Sequence, residues 1–359
     1  MSRPALTRAR AALAAVLAPA LAAVALAGCA APSAQDAQDA GPAEGAPSAD
    51  GAFPVTLEHA YGETTIEAEP QRVVAWDWST QDAVIGLGVA PVAMTTYTYG
   101  GDDEGVLPWT ADALAEQGLE TPQLLTYGAE VPFEEIAAAE PDVILAVNSG
   151  LTEGDYATLS QIAPTVVQPG DPYVTPWQEQ VELVGAALGR SAQAEELVAE
   201  TSAAITAQAE ANPELAGATF AYASGDVSTG QLSLYVPGDV RVQLLTELGM
   251  ELSPYVEQNA PGDGAFSYLV SLEQADQVSS DVLVAWFGDQ AAVDAFTADP
   301  LVQRVPAVAS GAFAPVVGES FVMATSAVSA LSIPWALEDY VPLLAEAVRA
   351  SGRSSGSAG

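Results

Sequence analysis

The chain has 359 residues, and its 47 acidic side chains oppose nine arginines and no lysine, giving a formal net charge of −38. This balance excludes nucleic acid as a partner, because phosphate binding requires clusters of basic side chains. A single cysteine and a single histidine exclude a disulfide framework and any metal site built from several such ligands. We interpret most of the acidity as a contribution to solubility.

The first 28 residues are typical of a secretory signal. Three arginines lie among the first ten residues, an apolar run follows over 11–27, and small residues precede the only cysteine, Cys29. The segment Leu26–Cys29 resembles the bacterial lipobox, whose cysteine sulfur takes a diacylglyceryl group. We therefore predict a lipoprotein signal peptide over 1–28, lipidation at Cys29, and a location on the extracytoplasmic face of the cell membrane. The alternatives are a buried core cysteine and an uncleaved membrane helix, which Pro19 and the marginal length disfavour.

Low-complexity sequence flanks the central region. Residues 29–52 are mostly Ala, Pro, Gly, Ser, Gln and Asp, a composition that buries too little apolar surface to fold. We predict a disordered tether there and a disordered tail over 351–359. Between them lie about 300 residues, enough for two lobes of ordinary domain size. No second apolar run in the sequence is long and uncharged enough to cross a bilayer.

The central region alternates strand and helix patterns, which favours an α/β fold. Residues 72–76 are β-rich, residues 81–87 have a short helical pattern that Gly88 can close, and 89–95 are predicted as the next strand. Further along, Pro132 and the acids after it are typical of a helix start.

One helix-to-strand unit occurs twice at the same spacing. In each copy an aspartate follows a glutamate by eight residues and opens an apolar run, from Glu134 to Asp142 and from Glu273 to Asp281. Ser271 is a candidate cap for the second copy's helix. Because the repeat distance is that of a domain and not of a short solenoid, we infer two similar lobes.

A helical segment connects the two lobes. Thr175 can cap a helix that begins at Pro176, and Ser191 can cap a second helix that continues to about Ala211. A long helix between two lobes is stiff and permits only small rocking. The central region is thus predicted to contain an N-terminal lobe over 53–175, connecting helices over 176–212 and a C-terminal lobe over 213–350.

Several fragments together resemble the class III substrate-binding proteins of ABC importers, particularly the iron–siderophore group. Their order and spacing carry the resemblance, which covers roughly Phe53 to Ala350. It implies an α/β fold of two Rossmann-like lobes joined by a long α-helix, with a ligand cleft between the lobes. It also implies a binding protein, not an enzyme. The fragments are 70–75, 87–92, 141–145, 148–152, 162–165, 176–177, 188–190 and 331–337.

Glu134 and Glu273 match the positions where this family places one carboxylate per lobe. In the family these carboxylates dock onto arginines of the importer's membrane subunits. Two separated anions would fix orientation on a two-fold partner and steer its encounter. Alternatively, acids in a first helical turn merely complement the helix dipole.

The cleft lining is predicted from the loops that follow the strands, since ligands in such folds lie beyond the strands' C-terminal ends. Aromatic side chains there offer large contact area with a polar edge, although they also serve as core caps. The candidates are Trp78, Tyr97, Tyr99, Asn148 and Ser149 in the first lobe and Tyr235, Arg241, Tyr268, Trp286, Phe287 and Phe321 in the second.

Arg241 is the candidate for gripping an anionic ligand oxygen, with a surface pair to Asp239 as the alternative. Only five arginines lie within 53–350. A ferric tris-catecholate would need several basic groups, so we expect a neutral or cationic ferric complex of the hydroxamate type. The second hypothesis is cobalamin or haem on the same scaffold. The third is an envelope enzyme or a structural lipoprotein.

Catalytic chemistry has little support in the sequence. Any histidine-based catalytic triad would have to use His59, the only histidine. No second histidine is present to bind a metal with it, and its place near the start of the central region is poor for an axial haem ligand. The one Gly-x-Ser-x-Gly match, 352–356, has no strand before it and is therefore no nucleophile elbow. We expect a monomer with no catalytic residue, no resident metal and no cofactor, whose ligand is a ferric siderophore.

Overall fold

The computed structural model describes Gly51 and residues 53–128, 130–262 and 264–353. The predicted signal peptide, Cys29, the tether as far as residue 50 and the tail from residue 354 lie outside these ranges. Within them, no helix combines the length and apolar character that a bilayer crossing requires. The described chain opens with an antiparallel hairpin of β1 (Val55–His59) and β2 (Gly62–Ile66).

A five-stranded, all-parallel sheet organises the first lobe. Four of its strands consist of buried residues, as expected for a parallel sheet covered on both faces. The strand order is β5 (Gln123–Leu125), β4 (Ala93–Thr95), β3 (Val73–Ala75), β6 (Val143–Ala146) and β7 (Thr165–Val167). The helices between these strands are α1 (Thr80–Gly86), α2 (Pro108–Gln117), α3 (Phe133–Ala138) and α4 (Glu153–Leu159).

A mixed sheet organises the second lobe. Its β8, β12 and β13 run parallel, whereas β9 and β11 are antiparallel to their neighbours. The order is β11 (Ser267–Ser271), β9 (Gln231–Tyr235), β8 (Thr219–Ser224), β12 (Val282–Phe287) and β13 (Phe313–Val317), with β10 (Glu251–Leu252) beside β8. The helices are α7 (Val240–Glu247), α8 (Pro254–Asn259), α9 (Gln290–Ala298), α10 (Pro306–Ser310) and α11 (Glu319–Ser326).

Three helices tie the two lobes together. They are α5 (Trp177–Ala187), α6 (Ser191–Ala211) and α12 (Ser332–Ala350). The last of these packs against α6, against α2 of the first lobe and against β13 of the second. The long helix between two α/β lobes therefore matches the predicted fold class, while the exact lobe boundaries stay a prediction.

Local differences from the predicted elements have simple causes. The strand expected over 89–95 is reduced to β4, in keeping with Pro91, which has no N–H to give to a sheet ladder. The helix expected after Ser271 is a 3₁₀ helix, Leu272–Gln277, although the Ser271 side chain does accept a hydrogen bond from the Glu273 N–H. The capping residues of both connecting helices lie one position from the predicted ones, with Pro176 in place of Thr175 and Arg190 in place of Ser191.

Candidate functional site

A cavity of about 370 Å³ lies between the two lobes. Its walls come from chain segments that follow sheet strands, where ligands bind in α/β folds. Trp78 follows β3, Tyr127 follows β5, and Trp286 lies near the end of β12. The lining residues are Trp78, Tyr97, Thr98, Tyr99 and Tyr127 in the first lobe and Arg241, Trp286, Val322, Met323 and Ser326 in the second.

The wall from the first lobe, hereafter the N-wall, is aromatic. The Trp78 indole N–H donates to the Tyr127 hydroxyl at 3.1 Å. The Tyr97 hydroxyl donates to the Asp77 carbonyl oxygen at 3.0 Å, which fixes that buried ring against the loop after β3. Tyr99 and Tyr127 keep 36% and 38% of their surface exposed. The N-wall therefore offers ring faces and hydroxyl groups in fixed positions.

Backbone strain is concentrated behind the N-wall. Asp77, Ser79 and Tyr173 have φ angles of 69°, 58° and 61°, the left-handed region that non-glycine residues avoid. The Trp78 and Tyr173 rings lie with their centres 5.6 Å apart. Such strain persists only where surrounding contacts enforce it, and it is frequent at ligand sites.

Asp77 is a buried acid directly behind this aromatic surface. Its Oδ2 accepts a hydrogen bond from the Gly150 N–H at 3.1 Å and lies 3.4 Å from the Tyr173 hydroxyl. Its Oδ1 has no hydrogen-bond partner among the described residues. Burial raises the pKa of Asp77 to about 6, and the hydrogen bonds from Gly150 and its other neighbours offset only part of that shift.

A second buried acid, Asp82, joins the two lobes through hydrogen bonds. Its carboxylate accepts hydrogen bonds from the Trp109 indole N–H at 2.7 Å, the Thr110 hydroxyl at 2.8 Å and, across the lobes, the Ser329 hydroxyl at 2.6 Å. Burial raises its pKa despite these donors. Since Ser329 lies just after α11, this network holds α11 in place relative to α1 and α2.

The wall from the second lobe, hereafter the C-wall, contains Arg241, the only basic side chain among the described residues that line the cavity. Nη1 of Arg241 lies 2.7 Å from Oδ2 of Asp239, and its Nε donates to the Ser326 hydroxyl at 3.1 Å. The guanidinium stacks 4.4 Å from the centre of the Tyr235 ring, and the Arg241 side chain is only 11% exposed. The predicted pairing with Asp239 exists, but it is an interior pair and not a surface one.

Tyr235 also positions the tryptophan of the C-wall. The Trp286 indole N–H donates to the Tyr235 hydroxyl at 2.9 Å. Tyr235 itself is buried and lies behind the lining. Each wall thus holds a tryptophan through a tyrosine hydroxyl.

Comparison with known proteins identifies the family. A family model described as "Periplasmic binding protein" matches residues 73–314. The chain belongs to the periplasmic binding protein family. The ferric enterobactin-binding periplasmic protein FepB of Escherichia coli is 27% identical over 271 residues, which are 71% of this chain and 81% of FepB. The Fe(3+) dicitrate-binding periplasmic protein FecB of Escherichia coli is 26% identical over 71% of this chain and 80% of its own length.

Solved structures share the architecture of this periplasmic binding protein. PiaA of Streptococcus pneumoniae in complex with ferrichrome matches with a TM-score of 0.76 and 31% identity, over 82% of this chain and 99% of that one. A periplasmic solute binding protein of Mycobacterium smegmatis matches with a TM-score of 0.71 and 31% identity, over 82% and 98%. These matches confirm the predicted family and the two-lobed fold class. They also confirm the prediction that the chain is a binding protein and not an enzyme.

Other candidates from the sequence lie away from the cavity. Asn148 and Ser149 turn inward, where the Asn148 amide donates to the Ser79 hydroxyl and the Ser149 hydroxyl donates to Gln168. Tyr268 lies on β11, partly buried, with its hydroxyl enclosed. Phe287 packs on Phe296 in the core, and Phe321 packs edge-on against Tyr340.

Five lining residues were not predicted from the sequence. Tyr127 also follows a strand, so the rule that nominated Trp78 could have found it. Val322 and Met323 have no such signal, because apolar helix residues usually pack in the core. The complete set is Thr98, Tyr127, Val322, Met323 and Ser326.

The two predicted docking glutamates are exposed and occupy equivalent places. Glu134 is the second residue of α3, and Glu273 is the second residue of the 3₁₀ helix after β11. Arg304 donates to the Glu273 backbone carbonyl oxygen at 3.2 Å, and the Glu273 residue is exposed. Their role in docking stays a prediction.

His59 is a structural residue of the β1–β2 hairpin. The Tyr61 N–H donates to its Nδ1 at 3.2 Å, so its Nε2 carries the hydrogen and donates to the Thr64 hydroxyl at 3.0 Å. Burial lowers the pKa of His59, which favours the neutral ring. Among the described residues, no cluster of three or more His, Cys, Asp or Glu could hold a metal ion.

Proposed function

We propose that this periplasmic binding protein captures a ferric siderophore and delivers it to an ABC importer. The observation that carries the proposal is the cavity between the lobes, which is lined by one tryptophan from each lobe, three tyrosines of the first lobe and one arginine of the second. Aromatic rings supply contact area to a bulky chelate, and the guanidinium suits a chelate oxygen. The relatives support it, since their names describe binding of ferric enterobactin and ferric dicitrate, and one related structure holds ferrichrome.

The charges around the cavity favour a neutral or cationic chelate. Arg241 is already paired with Asp239, and Asp77 lies behind the opposite wall. A chelate with several negative charges would meet a repulsive field, whereas a ferric hydroxamate would not. The ferrichrome-bound relative supports this choice, because ferrichrome is a hydroxamate. The ferric enterobactin-binding relative makes a catecholate the competing ligand.

Tryptophan fluorescence tests the ligand class directly. Trp78 and Trp286 line the cavity, so a bound iron chelate should quench their emission. We expect saturable quenching by ferrichrome, and none by a ferric tris-catecholate, cobalamin or haemin. Trp78→Phe and Trp286→Phe should remove most of the signal, while Trp177→Phe, at a buried site near Glu247, should keep it. Tight catecholate binding without hydroxamate binding would contradict the proposal.

The proposal includes docking through Glu134 and Glu273. Two exposed carboxylates, one per lobe, fit a partner that has approximate two-fold symmetry. Glu134→Ala and Glu273→Ala should each lower siderophore uptake by cells while leaving ligand affinity unchanged. Glu153→Ala is the matched control, since Glu153 is also an exposed first-turn acid. If Glu153→Ala lowered uptake equally, docking would be contradicted, and the two glutamates would only complement the dipoles of their helices.

Membrane anchoring completes the proposal. Lipidation of Cys29 would hold the binding protein at the extracytoplasmic face of the membrane, as the lipobox-like sequence suggests. The relatives include a probable siderophore-binding lipoprotein of Bacillus subtilis, 28% identical over 40% of this chain. Cys29→Ser should release the protein from the membrane fraction. Continued membrane retention of that variant would contradict the anchor.

A further inference from the structure

A second cavity of about 610 Å³, hereafter the side groove, adjoins the cavity between the lobes. The loop after β8, the end of β12 and the exposed side of α9 form it, through residues such as Asp226, Phe287, Ala292, Ala295 and Asp299. The central cavity is small, since ligand pockets for drug-sized molecules measure about 300–1,000 Å³. A ferric siderophore that carries an extended chain is bulkier than such a molecule, so its chain must extend beyond the central cavity.

The two cavities share a wall. Trp286 lines both of them. A Cβ built on Gly288, in the side groove, would lie 3.8 Å from the Tyr99 hydroxyl oxygen of the central cavity. The two cavities are therefore neighbours, with Trp286 and Tyr99 at the boundary between them.

Close contacts hold the floor of the side groove together. The Gly225 N–H donates to the Trp286 carbonyl oxygen at 3.1 Å, which ties the loop after β8 to β12. A Cβ on Gly225 would come within 2.2 Å of the Phe287 ring, so only glycine allows this close approach. The groove is therefore formed before a ligand arrives, which lowers the cost of binding.

The side groove is acidic. Asp226 and Asp299 are its ionisable residues, and none of its lining residues is basic. Hydrogen bonds from the backbone and side chain of Ser228 lower the pKa of Asp226, which keeps its carboxylate charged. Arg241 lines the central cavity and not the side groove. A ligand that spans both cavities thus meets a cation at its chelating end and anions at the other.

We propose that the side groove binds a cationic arm of the chelate held in the central cavity. The preferred ligand is a ferric hydroxamate with an extended chain that ends in an ammonium group. The ammonium lies near Asp226, and the chain packs on Ala292, Ala295 and the Trp286 ring. This inference rests on the proposed function and narrows its ligand class.

Three chelates and a filled groove test the proposal. The probes are ferric desferrioxamine B, which has a terminal ammonium, its N-acetylated form, and ferrichrome, which lacks an ammonium. Ala295→Trp should weaken ferric desferrioxamine B binding at least tenfold, while ferrichrome affinity stays within twofold. Ala291→Trp is the matched control, because Ala291 is exposed on the same helix outside the groove and should change neither affinity.

The charge of the groove is tested separately. Wild-type protein should prefer ferric desferrioxamine B over its acetylated form by roughly threefold, the effect of an exposed ion pair. Asp226→Asn should abolish that preference. Asp294→Asn, on the outward side of α9, should retain it.

The outcomes separate the two proposals. Unchanged desferrioxamine B affinity in Ala295→Trp, or no preference for the ammonium in the wild type, overturns the side groove and leaves the proposed function standing. Failure of the wild type to bind any of the three chelates overturns the proposed function and the side groove with it.

Discussion

The two walls of the central cavity are built alike but charged differently. In each, a tyrosine hydroxyl accepts the indole N–H of a lining tryptophan, Tyr127 for Trp78 and Tyr235 for Trp286. Each also has a buried aspartate behind it. Asp239, on the C-wall, has the guanidinium of Arg241 at 2.7 Å. Asp77, on the N-wall, has only neutral hydrogen-bond donors.

This difference separates two ways of preparing a ligand site. The C-wall presents a cation whose own desolvation is offset by a partner, so it can be held nearly dry and fixed. Behind the N-wall, a buried acid and three residues with left-handed backbone angles lower the stability of the protein. In exchange, they hold aromatic rings in fixed positions near the cavity. Substitutions should therefore cost both stability and affinity on the C-wall, whereas on the N-wall some should increase stability.

The largest effect is expected at Arg241. Arg241→Met leaves Asp239 buried and unpaired, which should lower the free energy of unfolding by about 3–5 kcal/mol at pH 7. Loss of a charged hydrogen-bond donor should also weaken ferric hydroxamate binding by about tenfold to a hundredfold. Urea unfolding and fluorescence titration measure the two effects.

A double variant separates stability from binding. The double variant Arg241→Met with Asp239→Asn has no unpaired buried charge. It keeps the cap of α7, because an asparagine side chain can also accept the hydrogen bond from the backbone N–H of residue 241. Stability should recover, but ligand affinity should not. Full recovery of affinity in the double variant would show that Arg241 contributes nothing to ligand binding.

A change of opposite sign is expected at Asp77. Its pKa of about 6 exceeds its ordinary value near 3.8. Between these two pH values the folded protein therefore holds a proton that the unfolded chain has released. The free energy of unfolding therefore falls as pH rises through that window. Asp77→Asn cannot ionise and should be more stable than wild type by about 2 kcal/mol at pH 8, with the gain vanishing near pH 4.

The control for Asp77 is an exposed acid of the same lobe. Asp112→Asn, on α2, should leave the pH profile of stability unchanged. Unfolding midpoints in urea between pH 4 and pH 8 distinguish the variants. A gain at Asp77 that does not depend on pH would mean that removed strain, not removed charge, stabilises the protein.

The sequence predicts the scaffold of both walls better than their surfaces. Buried apolar runs and helix starts locate the sheets and the connecting helices, because these patterns are local. Trp78, Tyr97 and Tyr99 could be nominated because they follow strands of a parallel sheet. Asn148 follows such a strand too, but its partner Ser79 is distant in sequence and turns it away from the cavity.

The C-wall depends more heavily on tertiary contacts. Three of its lining residues lie on α11, and only the packing of that helix against the first lobe decides which of its residues line the cavity. Ser329 fixes this packing through Asp82, a contact across 247 positions that no sequence pattern reveals. The pairing of Arg241 with Asp239 was foreseeable from their spacing, whereas its burial and its stacking on Tyr235 were not.

The smallest effects concern the two tyrosine hydroxyls and compare the walls most directly. Tyr235→Phe removes the acceptor of the partly buried Trp286 indole N–H, which should cost about 1 kcal/mol of stability. Tyr127→Phe removes the same bond at a site 38% exposed, where water can replace it, so the cost should be about 0.5 kcal/mol. Thermal unfolding of both variants, with ferrichrome affinity alongside, measures the difference. Equal costs would mean that the C-wall is no better shielded from water than the N-wall.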